Sequence, residues 1–143
     1  MSRERRPDLL VLDREYDGTT GTLRAARNDV VGFLREHAPD PDLQERAELV
    51  VSELATNAIQ ASPGVAYRLR LALREDGSVV LAVTSSTQRN APPPREAWGP
   101  THARAPRGRG LVIVDGLTDD VAVERPSDDK IVVTATFRVA PVH

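Results

Sequence analysis

The stretch Ala47 to Ser62, AELVVSELATNAIQAS, constrains the chain more than any other. Val50, Leu54, Ala58 and Ala61 recur at the three-to-four spacing of one helical face, and Leu43 and Ala47 extend that face backward. A helix with one apolar face has to bury it against a second layer. Beside that face runs another stripe, Glu53, Asn57 and Gln60, at i, i+4 and i+7. A carboxylate and a carboxamide four apart on an apolar border have two readings. One is the polar margin of an ordinary amphipathic helix, because Glu-x-x-x-Asn is short and common. The other is a site, in which Asn57 offers a hard oxygen to Mg²⁺ and Glu53 acts as a base or orients a water or hydroxyl.

With 143 residues, one domain spanning 1–143 is the natural expectation. A net charge of -2 leaves no global basic field, so direct nucleic-acid binding is disfavoured. The chain has no cysteine, which excludes disulfides, thiolate metal sites and cysteine nucleophiles. The N-terminus MSRERRPDLL is charged, and no run of about 18 apolar residues occurs, so neither a secretory signal nor a membrane span is expected. Cytoplasmic placement is the default. Only Lys130 among the 19 basic residues is a lysine; the arginine excess reads as GC-rich bacterial codon usage rather than phosphate recognition.

Leu9 to Tyr16 predicts a first strand, followed by a turn at Asp17-Gly18. Thr19 to Ala38 predicts a helix capped by Thr19 or Thr20, with Leu23, Ala26, Val30, Phe33 and Leu34 at helical spacing. Pro39 and Pro41 stop it, and Asp40 or Asp42 can cap the next helix, about Leu43 to Ala61. Ala66 to Arg74 alternates as a strand, Asp76-Gly77 is a hairpin turn, and Val79 to Thr84 pairs back. Ser85 to Arg107 holds five prolines and almost no aliphatic residue, so it is an irregular segment of lid type. Its lone Trp98 either packs the segment down or contacts a ligand. Gly108-Arg109-Gly110 opens a short helix, Leu111 to Leu117, and strands follow at Val121 to Glu124 and Lys130 to Val139. The strands from Val79 and Lys130 should form the sheet centre, with helices covering one face: an α/β (α+β) two-layer sandwich with a mixed, mostly antiparallel sheet.

A Gly-x-Gly at a helix start is weak by itself, because two glycines in a turn explain it equally well. Its functional reading is mechanical: glycines let backbone N–H groups approach a phosphate, which the helix dipole favours. No third glycine or preceding strand makes it a Rossmann turn, and no Gly-Lys-Ser/Thr makes it a P-loop. VVSELATNAI, however, resembles the N box of the GHKL ATPase superfamily, which includes gyrase B, histidine kinases, MutL and the heat-shock chaperone. Its Ser52, Glu53, Thr56, Asn57, Ala58 core is most similar to that of the small anti-sigma-factor serine/threonine kinases. RGRGLVIVDGLTDDVAVE, after a hairpin and a lid, resembles that family's second glycine box, so the resemblance covers nearly the whole chain.

The resemblance implies the Bergerat ATP-binding fold, with ATP and Mg²⁺ held between the helix of Glu53 and Asn57, the hairpin end and a lid at about 85–107. It implies Asn57 as the Mg²⁺ ligand and Glu53 as the catalytic base. Gly108, Gly110 and the helix start at Leu111 would hold phosphate, with Arg107 and Arg109 either adding charge-assisted contacts or simply solvated. The sequence departs from the family at the base. Where the family places an adenine-reading aspartate at the end of the second hairpin strand, this chain has Ser85, and no Asp-x-Gly-x-Gly follows. A serine accepts a hydrogen bond without charge and with a shorter reach. Losing a charged acceptor there costs about 1.5–3 kcal/mol, roughly 10- to 150-fold in affinity. Lys130-Ile131 stands where the family has a late Gly-Thr, and Ala61 where a basic residue or histidine is frequent.

Two functions follow. The first is an ATP-binding, anti-sigma-type serine/threonine protein kinase that controls transcription by partner switching. It would bind a sigma factor and/or an anti-anti-sigma antagonist, with a homodimer expected from the family. The alternative is a protein-binding module with a degenerate, nucleotide-free site.

Overall fold

In the computed structural model of the chain, residues 8–86 and 116–138 are described. The first strand, β1, is Asp8–Tyr16; a 3-10 turn at Thr20–Thr22 leads into helix α1, Leu23–His37, and then helix α2, Pro41–Ala61. Strands β2 (Tyr67–Arg74), β3 (Val79–Ser86), β4 (Asp120–Ser127) and β5 (Lys130–Phe137) follow. They form one sheet in the order β1-β2-β3-β5-β4, and every pairing is antiparallel. The two helices pack on one side, giving the expected two-layer sandwich with β3 at its centre.

The period-2 pattern sets which side is dry. Leu69 pairs with Val83, Leu71 with Leu81 and Leu73 with Val79; Val79, Leu81 and Val83 in turn pair with Phe137, Ala135 and Val133. These residues face the helices, and all but the half-buried Leu73 are buried, while Arg68 and Arg70 between them are exposed. On that outer side the arginines are matched by carboxylates: Arg68 donates to Asp13 at 2.8 Å and Arg70 to Asp8 at 3.0 Å. Helix α2 buries Leu43, Ala47, Val50, Val51, Leu54, Ala55, Ala58, Ile59 and Ala61, the stripe anticipated from its spacing.

Local chemistry explains the boundaries. Pro41 sits in the first turn of α2, where its missing N–H costs nothing, and Asp40 is the N-cap: its carboxylate accepts from the backbone N–H of Asp42 and Leu43. The β2–β3 turn closes with Gly77 at φ +89°, which its lack of a side chain permits, and Asp76 accepts from the N–H and hydroxyl of Ser78. The expected threonine cap of α1 is not formed. Neither Thr19, capping the 3-10 turn, nor Thr22, at the N-cap of α1, makes a side-chain capping bond. Thr22 instead turns its hydroxyl to the carbonyls of Asp17 and Thr19 and to the hydroxyl of Tyr67. A cap helps the end of a single helix; here the hydroxyl goes to a tertiary contact.

That contact is half of a polar lattice beneath α1. Tyr16 and Tyr67, paired across β1 and β2, stack with ring centroids 5.5 Å apart. The Tyr16 hydroxyl donates to Asp29 on α1 at 2.5 Å, and Arg14 stands 3.7 Å from the same carboxylate oxygen. Burial, and then the bond to Asp29, raise the Tyr16 phenol above its ordinary 10.0; burial also raises Tyr67. A raised tyrosine means that folding favours the neutral phenol. Stability from this lattice is therefore complete below the ordinary phenol range and is lost as pH rises past about 10. Tyr16→Phe should flatten that alkaline decline in chemical-denaturation midpoints between pH 8 and 11, at the cost of the Asp29 bond at neutral pH.

Gly18 closes the same end of the molecule. Its carbonyl accepts from the N–H of Gly64 at 2.9 Å, bringing the turn after β1 against the turn after α2. A Cβ at Gly18 would lie 2.2 Å from the Val65 carbonyl oxygen and 2.6 Å from its nitrogen. Neither turn can yield without breaking the bond, so Gly18→Ala should destabilise the fold by about 1–3 kcal/mol, read as a lower urea midpoint.

Candidate nucleotide site

The candidate site lies where α2 crosses the C-terminal end of β3. Glu53 and Asn57 occupy the helix line that borders the buried stripe, and both are half-buried. Glu53 forms no ion pair with a described residue. Asn57 is more unusual. Its Nδ2 is buried and has no hydrogen-bond partner among the described residues. Among the described residues Arg74 Nε shares that condition, but Asp8 Oδ1 stands 3.5 Å from it and balances its charge. An amide buried without a partner forfeits about 1–3 kcal/mol, so a native fold that keeps one has a use for it. A half-turn of its χ2 exchanges the amide nitrogen for the oxygen at the same point, which then meets a cation or a donor.

Ser85 lies on the sheet side. It pairs with Ile131 on the helix-facing surface, in line with Val79, Leu81 and Val83. Because Arg68 pairs with Thr84, Tyr67 is its neighbour on the other flank. Tyr67 and Ile131 are both 1% exposed, so the half-buried Ser85 hydroxyl sits in an apolar row. It makes no side-chain hydrogen bond with a described residue. The irregular segment expected from Ser85 onward therefore starts later. Ser85 and Ser86 are strand residues, because Ile131 and Lys130 extend the β5 ladder opposite them.

Two residues that the sequence reading passed over hold the site together. Ser62, 3% exposed at the end of α2, donates its hydroxyl to the carbonyl of Ser86 at 2.9 Å, tying the helix of Asn57 to the strand of Ser85. Arg46 stands about two and three helical turns before Glu53 and Asn57, at i+7 and i+11 spacing, and so on the same line of α2. Its Nη1 donates to the carbonyl of Leu117 at 3.2 Å, its Nε pairs with Asp42 at 3.0 Å, and its guanidinium lies 5.7 Å from the Phe137 ring centroid. Leu117 follows the glycine segment in the sequence. The i+7 spacing from Arg46 to Glu53 was a usable signal; nothing local marked Ser62, whose partner is 24 residues away. Arg107, Gly108, Arg109, Gly110 and Leu111, and Trp98 with them, lie outside the described residues; of the helix expected over Leu111 to Leu117, Gly116 and Leu117 are described and helical.

The described residues thus form a two-layer α+β sandwich with a polar helix line beside the end of its central strand. The chain belongs to the histidine kinase-like ATPase domain family, whose sequence profile matches residues 17–137. No curated protein sequence matches it. Among solved structures it is similar to the RsbU and RsbW domains of Rv1364c from Mycobacterium tuberculosis, with a TM-score of 0.69 and 20% identity over 90% of this chain and 32% of that one. It is also similar to a chain of the SiaB-SiaC complex from Pseudomonas aeruginosa, with a TM-score of 0.67 and 15% identity over 91% of this chain and 89% of that one. The chain thus spans about a third of the Mycobacterium tuberculosis chain it matches. At these identities the likeness is one of fold.

Ser62→Ala leaves the Ser86 carbonyl without its donor. We expect a loss of about 1–3 kcal/mol in stability and faster amide hydrogen exchange at Thr84 to Ser86 and at the last turn of α2, with the β1–β2 half of the sheet unchanged.

Proposed function

We propose that the chain binds Mg-ATP between α2 and the end of β3, and that it is an anti-sigma-type serine/threonine protein kinase of a partner-switching pathway that controls transcription. The observation that carries this reading is the buried, unpartnered amide of Asn57 on the line that also holds Glu53. The donor set fits the group. The Asn57 oxygen is a hard ligand suited to Mg²⁺, which keeps waters and phosphate oxygens for the rest of its shell. Among the described residues no cluster of three His, Asp or Glu could hold a metal, so the ion would arrive with the nucleotide. Bound Mg-ATP would supply the transferable phosphoryl group.

In this reading the residues of the chain divide the work. Asn57 would hold the metal of Mg-ATP through its side-chain oxygen. Glu53, half-buried and without an ion pair among the described residues, would accept the proton of an incoming Ser or Thr hydroxyl as that oxygen bonds to the terminal phosphorus and ADP departs. Ser85 meets the base, Gly108 and Gly110 leave room for phosphate beside Leu111, and Arg107 and Arg109 add charge-assisted contacts. Arg46, by holding Leu117, supports the return of the glycine segment to α2. The acceptor would be a protein: one similar structure carries the domains RsbU and RsbW on a single chain, and the other is a complex of two proteins. A sigma factor and an anti-anti-sigma antagonist are the partners this function requires, in a cytoplasmic setting and with a homodimer as the expected assembly. Among the described residues no helix is long and apolar enough to cross a membrane.

Mg-ATP at 100 times its dissociation constant should add about 2.7 kcal/mol to stability, a rise of roughly 5–10 °C in Tm. The rise should need Mg²⁺ and vanish in Asn57→Ala. Glu53→Ala should keep it while losing phosphotransfer to the antagonist by about a hundredfold or more. No shift at millimolar Mg-ATP would favour the nucleotide-free binding module instead.

A further inference from the structure

A carboxylate can only accept hydrogen bonds, whereas a serine hydroxyl donates one and accepts others. The two purines differ at the 6-position in this respect: adenine presents an amino donor and guanine a carbonyl acceptor. We propose that Ser85 makes this a site for purine nucleotides in general, taking the guanine and adenine nucleotides with similar affinity. The inference rests on the nucleotide-binding reading above and deepens it.

Among the described residues, the surroundings of Ser85 leave its proton free to turn either way. Its flanking neighbours on the helix-facing surface are Tyr67 and Ile131, both buried. Ile131 offers nothing polar from its side chain. The Tyr67 hydroxyl is already engaged with Thr22 Oγ1 at 2.9 Å. The Ser85 hydroxyl itself has no described partner. The strand is fixed all the same, since Ser62 holds the Ser86 carbonyl and β5 pairs with Ser85 and Ser86. A held backbone with a free hydroxyl rotor gives a base contact of fixed place and reversible polarity. On α2, the buried face beside Asn57 carries Ala58 and Ala61, which have neither charge nor hydrogen-bonding side chain that would prefer one purine edge. The stacked pair Tyr16 and Tyr67 closes the row on the β1 side with neutral phenols.

The test is calorimetric titration of Mg-ATP and Mg-GTP into the full chain and into Ser85→Asp and Ser85→Ala. The wild type should bind the two within about tenfold of each other. Ser85→Asp should tighten ATP and discriminate against GTP by about a hundredfold, since an acceptor then faces the guanine carbonyl. Ser85→Ala, a half-buried truncation that keeps the fold, should weaken both by a similar several-fold factor. ATP bound with GTP weaker by about a hundredfold in the wild type would overturn the inference and leave the ATP-binding reading standing. Unchanged selectivity in a folded Ser85→Asp, or unchanged affinities in Ser85→Ala, would remove Ser85 from the base contact. Binding of neither nucleotide would overturn both readings together.

Discussion

Everything in this structure depends on how α2 lies against β3. The helix buries nine apolar residues, and the strand beneath it contributes Val79, Leu81 and Val83 to the same dry layer. At about 25 cal/mol per Å² of apolar surface, this contact dominates the free energy that orders the layers. It also fixes the rotation of the helix about its axis. With Val50, Leu54, Ala58 and Ala61 turned inward, the 3.6-residue period leaves Arg46, Glu53 and Asn57 no choice but the margin. The site is thus a by-product of packing: the line that carries its chemistry is the line next to the core.

The margin is useful only if the strand end beneath it stays put, and strand ends fray. Three contacts counter this here. Ser62 ties the Ser86 carbonyl to the helix terminus, β5 continues its ladder to Lys130, and Gly64 binds the Gly18 carbonyl so that the turn after α2 cannot lift. Together they convert a soft boundary between helix and sheet into a rigid edge, which spares a bound ligand the entropy of ordering it.

Much of this was legible in the sequence, and the reasons differ by element. Helix α2 was legible because its burial is periodic, and β2 because Leu69 and Leu71 alternate with Arg68 and Arg70. Asp40 and Gly77 were legible because caps and tight turns are chosen by adjacent residues. The cap expected at Thr19 or Thr20 did not form because a 3-10 turn at Thr20–Thr22 moves the start of α1 to Leu23, and Thr22 at the N-cap gives its hydroxyl to Tyr67, 45 residues away, a competitor that local rules do not see. The end of β3 was set too early because Ser85 and Ser86 look like the start of a polar loop. They are held in strand by Ile131 and Lys130, a pairing that no window of the sequence contains. Within the site, Glu53, Asn57 and Ser85 were nominated by motif and register, while Ser62 and Arg46 act through partners 24 and 71 residues distant.

The extension of β3 by two residues changes what Ser85 can be. In a loop, a serine hydroxyl is one of many polar groups in water, and its contribution to binding is small. In a strand, with Ile131 on one side and Tyr67 on the other, the same hydroxyl is a lone polar group on an apolar floor. There each hydrogen bond it makes or fails to make is felt more strongly, because the exchange with water is partly removed. The Asn57 amide has the same character on the helix side. Two neutral groups with both donor and acceptor capacity therefore frame the site from opposite layers, and Glu53 adds a carboxylate from the helix line.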